Sequence, residues 1–225
     1  MLRIGHRGAP VLAPENTLPS FAAALDLGLD LVELDARVLP DGRLVVAHDP
    51  PRAGAELLLL DETLAFLAAR GAAVQVDLKL DDPSGVVESV RRHGLVEHAF
   101  VSGTGAASLR RVRELEPELR TSLTYPDDRL GLTKVRGLGP LTRPGLAVMQ
   151  RALPGRIGGM LDRAGASALT LHYTVVTEAV LERCAALGVP VLVWTVDDPD
   201  VCAHLDRLGV AGIITNDPAV FPPTS

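Results

Sequence analysis

The sequence predicts an α/β protein folded as a single closed (β/α)8 barrel, a TIM barrel, and three observations carry that prediction. Strand-like and helix-like segments alternate along all 225 residues, and eight of the strand-like ones are continuous Val/Ile/Leu runs, as in a parallel sheet buried on both faces. Polar residues gather at the C-terminal ends of those strands, where barrel enzymes place their chemistry. The first strand ends in His6-Arg7-Gly8, whereas an open doubly wound sheet, the alternative, usually carries a Gly-rich phosphate loop there.

Leu2–His6 is the first strand, ended by Arg7-Gly8. Leu18–Leu27 has helical spacing and stops at Gly28. Leu31–Val38 reads as a strand, Pro40-Asp41-Gly42 as a turn and Arg43–His48 as a returning strand, so a β-hairpin is expected after the second barrel strand. Helix Asp61–Arg70, strand Ala73–Leu80 and helix Ser84–His93 follow, with Gly71 and Gly94 closing the two helices. The second half keeps the rhythm: strand Ala99–Ser102, helix Ala106–Leu115, strand Leu119–Tyr125. Asp127–Pro144, rich in Gly, Pro and charge, reads as a long loop, either a lid or a surface excursion. Leu146–Arg163 is helical but interrupted by Pro154, Gly158 and Gly159. Strand Ala168–His172, helix Thr177–Leu187, strand Val189–Val196, helix Pro199–Leu208 and strand Gly212–Thr215 complete the eight units. No repeat, linker or second domain interrupts this pattern, so residues 1–225 are expected to form one domain.

Composition narrows the function. Hydrophobic residues make up 47% of the chain and aromatics only 3%, which gives a large aliphatic core. The net charge of -6 carries no basic footprint for nucleic acid. Lys79 and Lys134 are the two lysines. Cys184 and Cys202 lack zinc spacing and sit in apolar helical patterns, as buried thiols do. The first residues start directly on a strand with no leader pattern, and no apolar run nears the roughly 20 residues that span a bilayer, so a cytoplasmic location is expected. No oligomeric state follows from the pattern.

The chemistry lies at the strand ends. Glu33 and Asp35 are two apart on a strand and share a face; with both sheet faces buried, they point into the barrel mouth. Asp77 and Lys79 repeat the alternation and add a third carboxylate and a cation. Like charges held together need compensation, either a hard divalent ion such as Ca2+ or Mg2+ or an internal salt bridge to Lys79. His6 and His48 each end a strand and can exchange protons near neutral pH. Arg7 offers a forked donor set for a phosphate oxyanion. Together these parts suit phosphodiester cleavage: cations offset developing charge, one histidine deprotonates the nucleophile and the other protonates the leaving alkoxide. Asp49 reads as a turn cap in preference to an imidazole partner, and Ser102 and His172 read as structural. Trp194 reads either as core or as a wall against the substrate.

The ordered set His6-Arg7-Gly8, Pro14-Glu15-Asn16-Thr17, Ser20-Phe21, Glu33-Leu34-Asp35, Asp41-Gly42 and His48-Asp49 resembles the glycerophosphodiester phosphodiesterase family. The resemblance continues through Asp77-Leu78-Lys79, Val193-Trp194-Thr195-Val196 and Gly212-Ile213-Ile214-Thr215-Asn216-Asp217-Pro218. It implies hydrolysis of glycerophosphodiesters to glycerol 3-phosphate and an alcohol. It implies one divalent cation, Mg2+ or Ca2+, on Glu33, Asp35 and Asp77, acid–base work by His6 and His48, and phosphate contacts from Arg7 and Lys79. It places Glu15 and Asn16 as braces on the substrate side of the site, with Trp194 nearby. Two departures stand out: Asp77 replaces the usual Glu, and the family's cap insertion after His48-Asp49 is reduced to a short stretch from Pro50 to about Leu60. An open mouth motivates a second reading, a lysophospholipase D-like enzyme or cyclising lyase on bulkier phosphodiesters. The altered acid and short cap motivate a third, a non-catalytic phosphodiester-binding module.

Overall fold

The structure is a computed structural model and describes residues 1–52, 54–127 and 139–222. Its strands are β1 (Leu2–Gly5), β2 (Leu31–Val38), β3 (Leu44–Val46), β4 (Ala73–Leu78), β5 (Ala99–Gly103), β6 (Arg120–Tyr125), β7 (Ala168–His172), β8 (Val191–Trp194) and β9 (Gly212–Thr215). The helices are α1 (Leu18–Asp26), α2 (Leu60–Ala69), α3 (Ser84–Arg92), α4 (Ala106–Leu115), α5 (Gly139–Ala164), α6 (Glu178–Ala186) and α7 (Pro199–Arg207). Eight parallel strands run β1-β9-β8-β7-β6-β5-β4-β2, and β1 pairs with β2 to close the barrel. Strand β3 lies antiparallel to the far end of β2, with Ala36 opposite Val46.

Local signals set the helix starts. Thr17 accepts the amide of Ser20 at the head of α1, and Asp198 accepts the amides of Asp200 and Val201 ahead of Pro199 in α7. The outer core lies between sheet and helices, built from aliphatic residues such as Leu34, Leu64, Val76, Leu109 and Leu169. Inside the barrel, Ile4, Leu31, Phe100, Leu192 and Ile214 form a separate apolar floor. One step further along the strands the interior turns polar. Glu33, Gln75, Ser102, Ser122 and Thr170 are all buried, and Ser122 and Thr170 hydroxyls meet at 2.6 Å. Strand register then aligns Asp35 with Asp77, and Asp77 with Ser102, at the mouth.

The segment read as a loop over Asp127–Pro144 is corrected in part: Gly139–Pro144 already belongs to α5, which continues through Pro154, Gly158 and Gly159. Packing explains the continuity. Leu153, Ile157 and Leu161 recur at four-residue spacing and are buried, and α5 packs on α4 and α6, so tertiary burial outweighs weak local propensity. Residues 128–138, on which the lid reading falls, lie outside the described residues. Among the described residues, no helix is long and apolar enough to cross a membrane.

The turn after β1 is the tightest point near the mouth. Gly8 has φ +92, and a Cβ there would lie 2.4 Å from Ser20 Oγ. That hydroxyl donates to the Arg7 carbonyl and accepts the Ala9 amide, so it cannot easily yield. Gly8→Ala should therefore destabilise the fold by roughly 2–6 kcal/mol, from left-handed strain of about 1–3 and overpacking of about 1–3. Urea unfolding checks this; a loss under about 1 kcal/mol would contradict the described turn.

Candidate active site

The acids come from neighbouring strands. Glu33 and Asp35 sit on β2 and Asp77 on β4, and one oxygen from each gathers within 4.8 Å of the others. All three are buried, at 4%, 1% and 8% exposure, so their charges must be answered by protein or by an ion. Lys79 Nζ lies 2.7 Å from Asp77 and 3.3 Å from Asp35, which is the internal salt bridge considered above. Arg7 Nε lies 3.1 Å from Asp35, while its Nη1 pairs with Glu15 at 2.9 Å. Its backbone amide donates to Glu33 at 3.0 Å. Asn16 donates to Asp35 at 2.9 Å. One ammonium and one guanidinium shared with Glu15 thus face three buried carboxylates, and the cluster keeps an excess of negative charge.

That excess appears in proton affinity. Burial, with Asp35 and Asp77 nearby, pushes the Glu33 carboxyl well above the ordinary range. Burial also acts on Asp35, but Lys79, Arg7 and the Asn16 hydrogen bond outweigh it and hold that carboxyl below its usual value. Burial opposes the Lys79 charge, yet Asp77 and Asp35 raise its pKa overall. Three clustered carboxylates with surplus charge are the oxygen donor set that a hard divalent cation prefers, so these residues fit such an ion.

The loop after β1 is shaped for this cluster. Arg7 and Asn16 both take the left-handed conformation, at φ 56 and 57. The Asn16 amide is bonded to the Arg7 carbonyl, so the two strained residues fix each other. All the expected site residues but Glu15 and Asn16, namely His6, Arg7, Glu33, Asp35, His48, Asp77, Lys79 and Trp194, line one cavity of about 770 Å³. Glu15 and Asn16 reach its acids and Arg7 from behind. Trp194 packs on the apolar floor and also lines the cavity. The His172 ring meets it edge-on at 5.1 Å.

Several residues exceed or correct the sequence reading. Asp49 Oδ1 accepts a hydrogen bond from His48 Nδ1 at 2.8 Å, so it orients the imidazole, the role not favoured from sequence. Ser102, read as structural, donates to Asp77 at 2.6 Å and is itself held by Gln75 at 2.9 Å. Arg37 extends the Glu33-x-Asp35 alternation into the cavity and donates to the His48 carbonyl. His6 Nδ1 lies 2.7 Å from Asn216 Oδ1, beyond the end of β9.

Burial first, then the Arg7 charge, lowers the His6 pKa from 6.5 to about 4. The unfolded chain takes up this proton at higher pH than the folded protein does. The stabilisation by neutral His6 is thus complete above 6.5 and is lost as pH falls toward about 4. Stability of the wild type should fall more steeply across that window than stability of His6→Gln, read by urea midpoints. Parallel slopes would contradict the buried, neutral imidazole.

Comparison with known proteins bears on the family and the fold. The model of the "Glycerophosphoryl diester phosphodiesterase family" matches residues 6–57 and 87–220. A glycerophosphodiester phosphodiesterase of Caldanaerobacter subterraneus subsp. tengcongensis is 26% identical over 96% of this chain and 94% of that protein. One of Arabidopsis thaliana is 30% identical over 96% of this chain and 70% of that protein. The crystal structure of glycerophosphodiester phosphodiesterase from Agrobacterium tumefaciens superposes with a TM-score of 0.74 at 24% identity, covering 98% of both chains. An Oleispira antarctica phosphodiesterase in complex with the product sn-glycerol-3-phosphate superposes at 0.72 and 19% identity, covering 97% of this chain and 94% of that one. With the family match spanning most of the sequence and the fold shared along its length, the chain belongs to the glycerophosphoryl diester phosphodiesterase family.

Proposed function

We propose that this protein hydrolyses glycerophosphodiesters to glycerol 3-phosphate and an alcohol, with residues 1–225 acting as one barrel domain. The observation that carries the proposal is the cavity itself: two histidines, each with a hydrogen-bonded Nδ1, face the same space as Arg7, Lys79 and a buried acid cluster. Arg7 and Lys79 draw the phosphate to the mouth and offset charge on its oxygens. Glu33, Asp35 and Asp77 would hold a divalent cation, Mg2+ or Ca2+, which when bound polarises a phosphoryl oxygen as a Lewis acid.

The histidines move the protons. His6, neutral in its buried setting, takes the proton from the attacking hydroxyl. His48 gives a proton to the departing alkoxide, which is a poor leaving group otherwise. Burial lowers the His48 pKa, Asp35 pushes it back, and an anionic phosphodiester in the cavity raises it further. A glycerol hydroxyl beside the phosphate attacks phosphorus first, the P–O bond to the alcohol breaks, and a cyclic phosphate forms. Water then opens that ring with the proton roles reversed. Glu15 and Asn16 keep Arg7 and Asp35 aimed, and Trp194 closes the wall.

A second reading, a bulkier alcohol group or release of the cyclic phosphate itself, has one supporting observation. A second hollow of about 560 Å³ opens beside His48 and Asp49, lined by Leu18, Pro50, Leu57 and Leu58 where only a short segment joins β3 to α2. Phosphorus NMR of the products separates the readings: a persistent cyclic phosphate favours the lyase.

Two outcomes follow from the main reading. Release of glycerol 3-phosphate from a panel of glycerophosphodiesters should stop with EDTA and return with Mg2+ or Ca2+. Release that EDTA leaves untouched would contradict the cation. His6→Ala and His48→Ala should each lower kcat by about 10²–10⁴-fold while retaining a cooperative unfolding transition. Full turnover in both would remove the acid–base assignment, and binding of substrate without turnover under any ion would favour the binding module.

A further inference from the structure

The ends of β8, β9 and β1 lie side by side, since β9 pairs with both neighbours. This brings together four polar residues from opposite ends of the chain. Asp197, just beyond β8, accepts the Thr215 hydroxyl at 3.0 Å and the Asn216 amide N–H at 2.8 Å on Oδ1. Its Oδ2 accepts from the Asn216 side-chain amide at 2.7 Å. The carboxylate is thus held by three donors from one dipeptide. The other end of the Asn216 side chain meets His6 Nδ1 at 2.7 Å. The His6 backbone amide donates to the Thr215 carbonyl at 2.8 Å, which fixes the ring's base on the same strand.

Hydrogen-bond chemistry determines the direction along this chain. An ionised carboxylate accepts only, so the NH2 group of Asn216 must face Asp197. The amide oxygen then faces His6. An amide oxygen also accepts only, so His6 Nδ1 must carry the hydrogen, and Nε2 keeps the ring's free lone pair. Turning the amide over would set oxygen against carboxylate and place a donor at Nδ1, which selects the opposite tautomer. The carboxamide therefore orients the ring without placing a second negative charge beside it, unlike the Asp49 partner of His48.

We propose that Asn216, aligned by Asp197, is a positioning residue that holds His6 in the Nδ1-protonated tautomer and so presents Nε2 as its proton acceptor. The proposal rests on the reading of His6 as an acid–base group, and its test separates the two.

Nitrogen-15 NMR of the metal-loaded, full-length protein, with the His6 signals assigned by loss in His6→Gln, reads the tautomer directly. We expect protonated Nδ1 and unprotonated Nε2 in the wild type near neutral pH. Asn216→Ala and Asp197→Ala should both shift His6 toward the Nε2-protonated form and lower kcat at least about tenfold with little change in KM. A wild-type spectrum with protonated Nε2 overturns the proposal without any variant. So do variants that remain folded and keep both the wild-type tautomer and the wild-type kcat. If His6→Ala retains turnover, the acid–base reading falls, while the spectrum still decides the tautomer.

Discussion

Three carboxylates buried within reach of one another are the constraint on which the rest of this molecule depends. Removing even one carboxylate from water is costly unless it is paired, and here Glu33, Asp35 and Asp77 share one corner of a barrel mouth. The surroundings answer that cost from every side. Lys79 bridges Asp35 and Asp77, Arg7 donates to Glu33 through its backbone amide and pairs with Asp35 through its side chain, and Asn16 and Ser102 donate to Asp35 and Asp77. Charge balance is still incomplete, and this incompleteness is what lets the three acids fit a divalent cation. A hydrophobic floor below it, built by Ile4, Phe100, Leu192 and their neighbours, keeps the barrel packed while the layer above turns polar.

The histidines are held by different means. His48 leans on Asp49, its neighbour in sequence, at a partly exposed edge. His6 is tied to Asn216, 210 residues away, across the closure of the barrel. A carboxylate favours the protonated imidazole, and an amide does not carry that charge. The two rings therefore stand in unlike electrostatic settings within one cavity, a division suited to one proton taken and one given.

Much of this was legible in the sequence because it follows from strand periodicity. Alternation on one strand places Glu33 and Asp35 on a shared face, and the same rule pairs Asp77 with Lys79. Extending that rule by one step would have included Arg37. Other parts were less legible for physical reasons. Ser102 ends a strand as any small polar residue does, and only the β4–β5 register shows it meeting Asp77. Asn216 lies in the last motif of the family resemblance, but Asp197 precedes the Asp198-Pro199 helix start, and its side chain matters only once β8, β9 and β1 are neighbours. The early turns of α5 were misread because Gly139, Pro140, Pro144 and Gly145 argue against a helix locally, whereas the burial of Leu153, Ile157 and Leu161 sustains it further on.

The proposed chemistry depends on the acid cluster holding a cation beside the phosphodiester. Anomalous diffraction from crystals equilibrated with Mn2+ tests it most directly, because the ion is located without reference to turnover. One strong peak is expected, bonded to oxygens of Glu33, Asp35 and Asp77 at roughly 2.0–2.6 Å as for hard cations and carboxylates. No peak there at saturating Mn2+, with Lys79 still joining Asp35 and Asp77, would contradict it and leave the cluster as an internal salt bridge.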